Sequence, residues 1–355
     1  MTEILNAPDV KDSYTISADW LEILCLLRND HRATDADIAH SHEILDDRAA
    51  PPPADIEVDG LDPDIVDAEF ERALDALFNE LGTRADALGA LYPFTLSVAP
   101  RRLQLTLADE SQDDAVRNGR SIYIACLIMS AIRSGVIGAR TAGIQIDPIM
   151  GNIFQICATL AAAGYLRGDA YWFGHPRPDE TPMLDAIREL TRLIGSGKAK
   201  NARPAGEAVF AKDGGIDVVA WRDHHDGRPA KIILYGQCAS GMNWDGKPVS
   251  KKVDRLDGYY DTRISKHWTP ALFTPFPLYM SKESSYRLWT DEDRIGFYLA
   301  HEAEMGVIID RLRIVNWSVE ALGNIRPSAQ NAADRLGELF SWAENAIDLA
   351  RVGIA

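Results

Sequence analysis

The chain is poor in the features that usually announce a function. Its four cysteines, Cys25, Cys126, Cys157 and Cys238, lie far apart and share no metal-site spacing. They read as buried thiols of a reduced, cytoplasmic protein. No run of about 18 apolar residues occurs, so no membrane span is expected. The opening Met1-Thr2-Glu3-Ile4-Leu5-Asn6 lacks a basic segment followed by an apolar one, so no signal peptide is expected either. A phosphate loop, a dinucleotide fingerprint and a serine-nucleophile elbow are all missing. His301-Glu302-Ala303-Glu304 lacks the second histidine of a zinc helix and reads as an exposed helix face. There is no internal repeat and no low-complexity region.

Positive charge is also scarce. The 355 residues carry 37 Lys and Arg against 53 Asp and Glu, a net charge of −16. That balance argues against a general nucleic-acid binder, whose affinity comes from phosphate contacts. The charge is uneven, however. Residues 1–120 hold 10 basic and 26 acidic side chains, whereas residues 196–290 hold 15 basic and 10 acidic. The second segment therefore has the better surface for a polyanion.

With 46% apolar residues the chain is long enough for two cores. Helical stretches mixed with short strands favour an α/β or α+β fold. Helices are expected at 14–30 and at 63–81, where Ile65, Val66, Phe70, Ala73, Leu74, Leu77, Phe78 and Leu81 recur at helical spacing. Pro63 would open the latter and Gly82 follow it. Between them, Ala49-Ala50-Pro51-Pro52-Pro53 reads as a stiff linker. A hairpin is expected within 92–107, and core helices at 121–132 and 152–166. Thr181 as N-cap, Pro182 at N1 and Gly195 beyond the end frame another helix. Later come a strand at 205–211, a helix at 251–264, a strand at 270–275, a helix at 291–305, a strand at 307–315 and a helix at 328–350. On the 307–315 strand, Arg311 and Arg313 would point outward or pair with the acidic N-terminal part.

The informative stretch is Asp213-Gly214-Gly215-Ile216-Asp217-Val218-Val219-Ala220-Trp221, followed by Lys231 to Ala239. Both halves have strand composition, and an Asp-Gly pair between them signals a hairpin. Alternation sets Asp217 beside Val219 and Trp221, and Gln237 beside Ile233 and Tyr235. A carboxylate and an amide in otherwise apolar strands are costly without a partner, and a divalent cation is such a partner.

Gly-Gly-Ile-Asp, a hairpin, and a strand ending in Gln237-Cys238 resemble the core of the PD-(D/E)XK, restriction endonuclease-like superfamily, nearest its Mrr-like branch. The resemblance covers residues 180–275. It implies an α/β fold with a central mixed sheet flanked by helices, preceded here by an acidic, mainly helical domain. The divisions it suggests are 1–150, a nuclease domain at 151–320 and a C-terminal helix at 321–355. It also implies Mg²⁺ or Mn²⁺ held by Asp217 and Gln237, with Glu207 as a third ligand and the Cys238 carbonyl nearby. The family's lysine, two residues after the Gln, is Ala239 here, so Lys247 is the expected substitute, ahead of Lys251 and Lys212. Glu189, on the helix ahead of the motif, is either a further ligand or a solvated partner of Arg192.

The resemblance implies a metal-dependent DNA endonuclease of restriction or antiviral defence, a site that RNA would suit equally. The acidic N-terminal domain would then engage a partner protein. The alternative is a catalytically degenerate scaffold that binds a partner in a defence complex, which Ala239 favours. Trp244, Trp268 and Trp289 are candidates for base stacking or for packing against the hairpin, and His224-His225 reads as solvated loop.

Overall fold

The computed structural model describes residues 4–8, 13–38, 63–99, 102–146, 149–206, 214–224, 226, 231–241, 243–246, 249–277 and 290–352. Glu207, Lys212, Lys247 and Trp289 lie outside the described residues.

Among the described residues, the N-terminal half is built mainly on three longer helices and a small sheet. Helix α1 (Tyr14–Leu27) is apolar and buried almost throughout. Strand β1 (Arg32–Thr34) pairs antiparallel with β3 (Arg102–Leu107), which pairs with β2 (Phe94–Ala99) as the expected hairpin. Helix α2 (Pro63–Leu88) does begin at Pro63, but it runs on through Gly82. A glycine inside a helix costs only about 1 kcal/mol, and Leu77 and Leu81 ahead of it and Leu88 beyond it are all buried. Helix α3 (Asp114–Ser134) is capped by Asp113, which accepts from the Ala115 amide at 2.8 Å, and is closed by left-handed Gly135.

Helix α4 (Ile149–Leu166) lies at the centre. Among the described residues it is the one helix long and apolar enough to cross a membrane, and 78% of it is buried inside the fold. It packs against the central sheet and crosses α8 (Arg311–Gly323) closely: a Cβ at Gly164 would meet the Trp317 carbonyl oxygen at 1.8 Å. Only glycine allows that approach.

The fold is α/β, with a mixed five-stranded central sheet. Its strands are β4 (Asp169–Trp172), β6 (Val218–Arg222), β7 (Ile232–Cys238), β9 (Thr269–Phe273) and β10 (Val307–Ile309), adjacent in that order. The first three run antiparallel as neighbours; β9 is parallel to β7 and β10 to β9. Val218, Ala220 and Leu234 face the larger core with α4. Val219, Trp221, Ile233 and Tyr235 face a second core, with Ile187 and Leu190 of α5 (Met183–Ile194) and Val253 of α6 (Ser250–Leu256). Strands β5 (Lys198–Ala199) and β8 (Tyr260–Thr262) form a separate pair. Helix α7 (Asp291–Met305) precedes β10, and helix α9 (Leu336–Val352) ends the described residues. The larger apolar core extends without interruption from Ile16 to Ala350, across residues 150 and 320.

Several expectations are corrected. The helix expected at 251–264 stops at Leu256, where a tight turn leads into β8. The strand expected at 307–315 ends at Ile309 because the Asp310 carboxylate accepts from the Arg313 amide at 3.1 Å and caps α8. The closing helix is split near Arg335. Residues 205 and 206 form a turn, and the rest of the strand expected there lies outside the described residues.

Capping by Asp310 turns Arg311 inward, where it is fully buried. Its Nη1 and Nη2 donate to Asp19 Oδ1 and Oδ2 at 2.8 and 2.7 Å, so it does pair with the N-terminal part. Arg84 Nη1 also donates to Asp19 Oδ1 at 2.8 Å and its Nε to Glu80 at 2.8 Å. The Tyr92 and Tyr123 hydroxyls donate to Glu22 at 2.6 and 2.8 Å. Burial alone pushes the Asp19 carboxyl up, but the Arg311 and Arg84 guanidiniums outweigh it and hold it below the ordinary range. For Glu22 burial wins, and its carboxyl lies above that range.

Candidate functional site

The sheet positions the motif through its glycines. Gly214 and Gly215 have φ of 68° and 89°, left-handed values that suit glycine and bend the chain into Ile216-Asp217. Asp217 sits just ahead of β6. Its amide donates to the Gly236 carbonyl at 2.8 Å, and its own carbonyl accepts from Phe173 and Gly174 at 2.9 and 2.7 Å. The main chain at Asp217 is thereby fixed on both sides.

The carboxylate divides its two oxygens. Oδ2 accepts from the Cys238 amide at 2.7 Å. Oδ1 faces Gly174, where a Cβ would lie 2.8 Å from it and 1.9 Å from Gln155 Oε1. Glycine at 174 lets an amide from α4 and a carboxylate from the head of β6 face one spot. Gln155 is 4% exposed, yet its Oε1 has no hydrogen-bond partner. Gln237 is 9% exposed, and its Oε1 has none either. Val218 opposes Gly236 in the ladder, so continuing the register by one residue sets Asp217 opposite Gln237.

The structure therefore brings Asp217 beside Gln155 and places Gln237 at the facing position on β7. Gln155 was missed in the sequence, although a lone glutamine within Ile153-Phe154-Gln155-Ile156-Cys157 is a visible signal. The helix ahead of the first sheet strand is α4 and not α5, because the short segment Asp169–Trp172 pairs with β6. On α5, the carboxylate of Glu189 is engaged by Arg192, whose Nε donates at 2.7 Å and holds it below the ordinary range. That is the solvated alternative for Glu189.

Ala239 is fully buried and its amide donates to the Phe273 carbonyl at 2.8 Å. Lys251 is exposed on α6. Its neighbour Lys252 lays its stem across the glycine turn, with Cδ 2.9 Å from where a Gly215 Cβ would be. It is the lysine this fold sets against the motif turn among the described residues. Trp244 is buried against Phe297 and His301 rather than open to stacking, which makes His301 part of an aromatic cluster and not an exposed face. Trp268 packs on Tyr235.

Among the described residues, no group of three or more His, Cys, Asp and Glu side chains is placed to hold a metal ion. The donors at the motif are one carboxylate and amide oxygens, a set that suits a hard, partly hydrated cation such as Mg²⁺. Comparison with family models, with curated proteins and with solved structures finds no match to this chain.

Proposed function

We propose that the chain is a metal-dependent phosphodiester hydrolase of the PD-(D/E)XK type, cutting DNA in a restriction or antiviral defence role with a partner protein. The observation that carries this reading is Gln155 Oε1, a buried amide oxygen without a partner beside the Asp217 carboxylate, with a second such oxygen, Gln237 Oε1, on the residue facing Asp217 in β7. A buried acceptor without a donor costs about 1–3 kcal/mol, a cost that a bound cation would remove. The order helix, strand, hairpin, helix, strand occurs as α4, β4, β6–β7, α6 and β9, with α5 and β5 inserted before the hairpin and β8 before β9. Asp217 and Gln155 would hold Mg²⁺ or Mn²⁺, with Gln237 and a main-chain carbonyl as further donors. The ion would polarise the phosphoryl group and acidify a water. Asp217 is positioned by the Cys238 amide, and Lys252 would supply positive charge near the turn.

Ala239, buried where the resemblance expects a lysine, favours a second reading: a degenerate scaffold that binds a partner. Purified protein with plasmid DNA and Mg²⁺ or Mn²⁺ separates the two. The expected result is cleavage that falls at least about a hundredfold in Asp217→Ala, the scale for losing a key electrostatic group. No cleavage with either ion, together with a stable complex with another protein, would establish the scaffold instead.

A further inference from the structure

We infer that the groove between α4, β4 and α9 takes a single unpaired nucleobase. It is a cavity of about 350 Å³, near the lower end of the range for ligand clefts. Ile153 and Ile156 of α4 form an apolar wall, and Trp172 on the edge strand and Trp342 on α9 add two indoles. Asn152, Arg335 and Glu338 supply the polar lining.

The charges narrow the ligand. Arg335 donates to Glu338 through Nε and Nη2 at 2.8 and 2.7 Å, so the one cation lining the groove among the described residues is already neutralised. A free anion gains little there. Arg335 also lies over the Trp172 ring, 4.9 Å from its centroid, so that face is taken and Trp342 is the indole left to a stacked group. Trp172 Nε1 is buried with no acceptor, and a ring nitrogen or carbonyl entering this groove would provide one. A flat, uncharged ring with donors and acceptors on its edge fits the lining as a whole.

A sugar ring also stacks on indole. The choice of a base rests on the phosphodiesterase reading: Asn152 is one helical turn ahead of Gln155, and Trp172 is two residues ahead of Gly174. The groove is thus lined from the same two segments, α4 and the end of β4, that lead to Gln155 and Gly174 beside Asp217.

The test is calorimetric titration of the wild-type chain in EDTA with adenosine, guanosine, cytidine and thymidine, and with glucose as the comparison. These probes carry no phosphate and need no metal. Saturable binding of at least one nucleoside is expected, weakened about tenfold by Trp342→Ala, as for loss of one stacking partner. Arg335→Gln, at a side chain already reaching the surface, should weaken it too, with folding of both variants checked by circular dichroism. Absence of nucleoside binding to folded wild type, binding unchanged in both variants, or glucose binding in place of nucleosides would overturn the inference. Nucleoside binding without plasmid cleavage would uphold the groove and remove the catalytic reading; cleavage without nucleoside binding would do the reverse.

Discussion

Where α1, α2, α3 and α8 meet, Asp19 is surrounded by donors from Arg84, Arg311 and Ser130. At the mouth of the β6–β7 hairpin, Gln155 Oε1 and Gln237 Oε1 are equally buried and have none. Both regions bury polar side chains, yet only one satisfies its acceptors from within the chain. A satisfied network holds a fold together, whereas unsatisfied acceptors lower stability and persist where something else is bound. The contrast sets a structural cluster apart from a pair of acceptors that the proposed ion would satisfy.

The largest expected effect is in the satisfied cluster. Arg311→Ala would strand Asp19 and Glu22 without one of their cations and lower unfolding free energy by about 3–5 kcal/mol in a urea titration. The loss should depend on pH. In wild type the folded Asp19 pKa lies below its unfolded value, so its contribution is present above about pH 4 and lost as pH falls through the folded value. Without Arg311 burial raises that pKa, and the contribution is then lost as pH rises. The gap between variant and wild type should therefore narrow from pH 7 toward pH 4; a gap constant across that range would show that the charges are not its source.

At the hairpin mouth, Gly174→Ala would push a methyl against Gln155 Oε1. The amide end can shift, so a stability cost of about 1 kcal/mol is expected in the same titration, together with loss of plasmid cleavage. Gln155→Leu sharpens the contrast because it should move stability the other way. Removing an unpartnered acceptor is expected to be neutral or stabilising by up to about 1 kcal/mol, while cleavage falls. A clear destabilisation by Gln155→Leu would show that the amide is part of the packing. The smallest effect belongs to Glu189→Gln, which breaks an exposed pair with Arg192 and should stay within about 0.5 kcal/mol with cleavage unchanged.

Much of this architecture could be read in advance. The helices expected at 14–30 and 152–166, the one ending before Gly195 (whose N-cap proves to be Pro182 rather than Thr181), the hairpin within 92–107 and the β6–β7 hairpin all follow from periodicity and turn residues. Asp217 and Gln237 at facing positions follow from the two-residue repeat of a strand. What escaped did so for local reasons. Val307 to Val315 alternates like a strand, but Asp310 caps a helix at its midpoint and reverses the direction of Arg311. Asp169–Trp172 is too short to announce itself, and without it α4 could not be recognised as the helix in front of the sheet. Gln155 is separated from Asp217 by 62 residues, and only the approach of Gly174 brings them to one place.

The bond between Asp19 and Arg311 spans 292 positions, and Arg351 near the other end donates to the Leu26 carbonyl at 3.1 Å. During synthesis Arg84 follows the first helix early, whereas Arg311, the second cation of Asp19, is made much later. Until then the two carboxylates of that apolar helix would share the single guanidinium of Arg84. Completion of folding would thus be timed by the emergence of α8, and such long-range closure makes for slow folding. A chain broken off before Arg311 would leave the carboxylates of its first helix to Arg84 alone, a buried pair of acids with one cation in place of two.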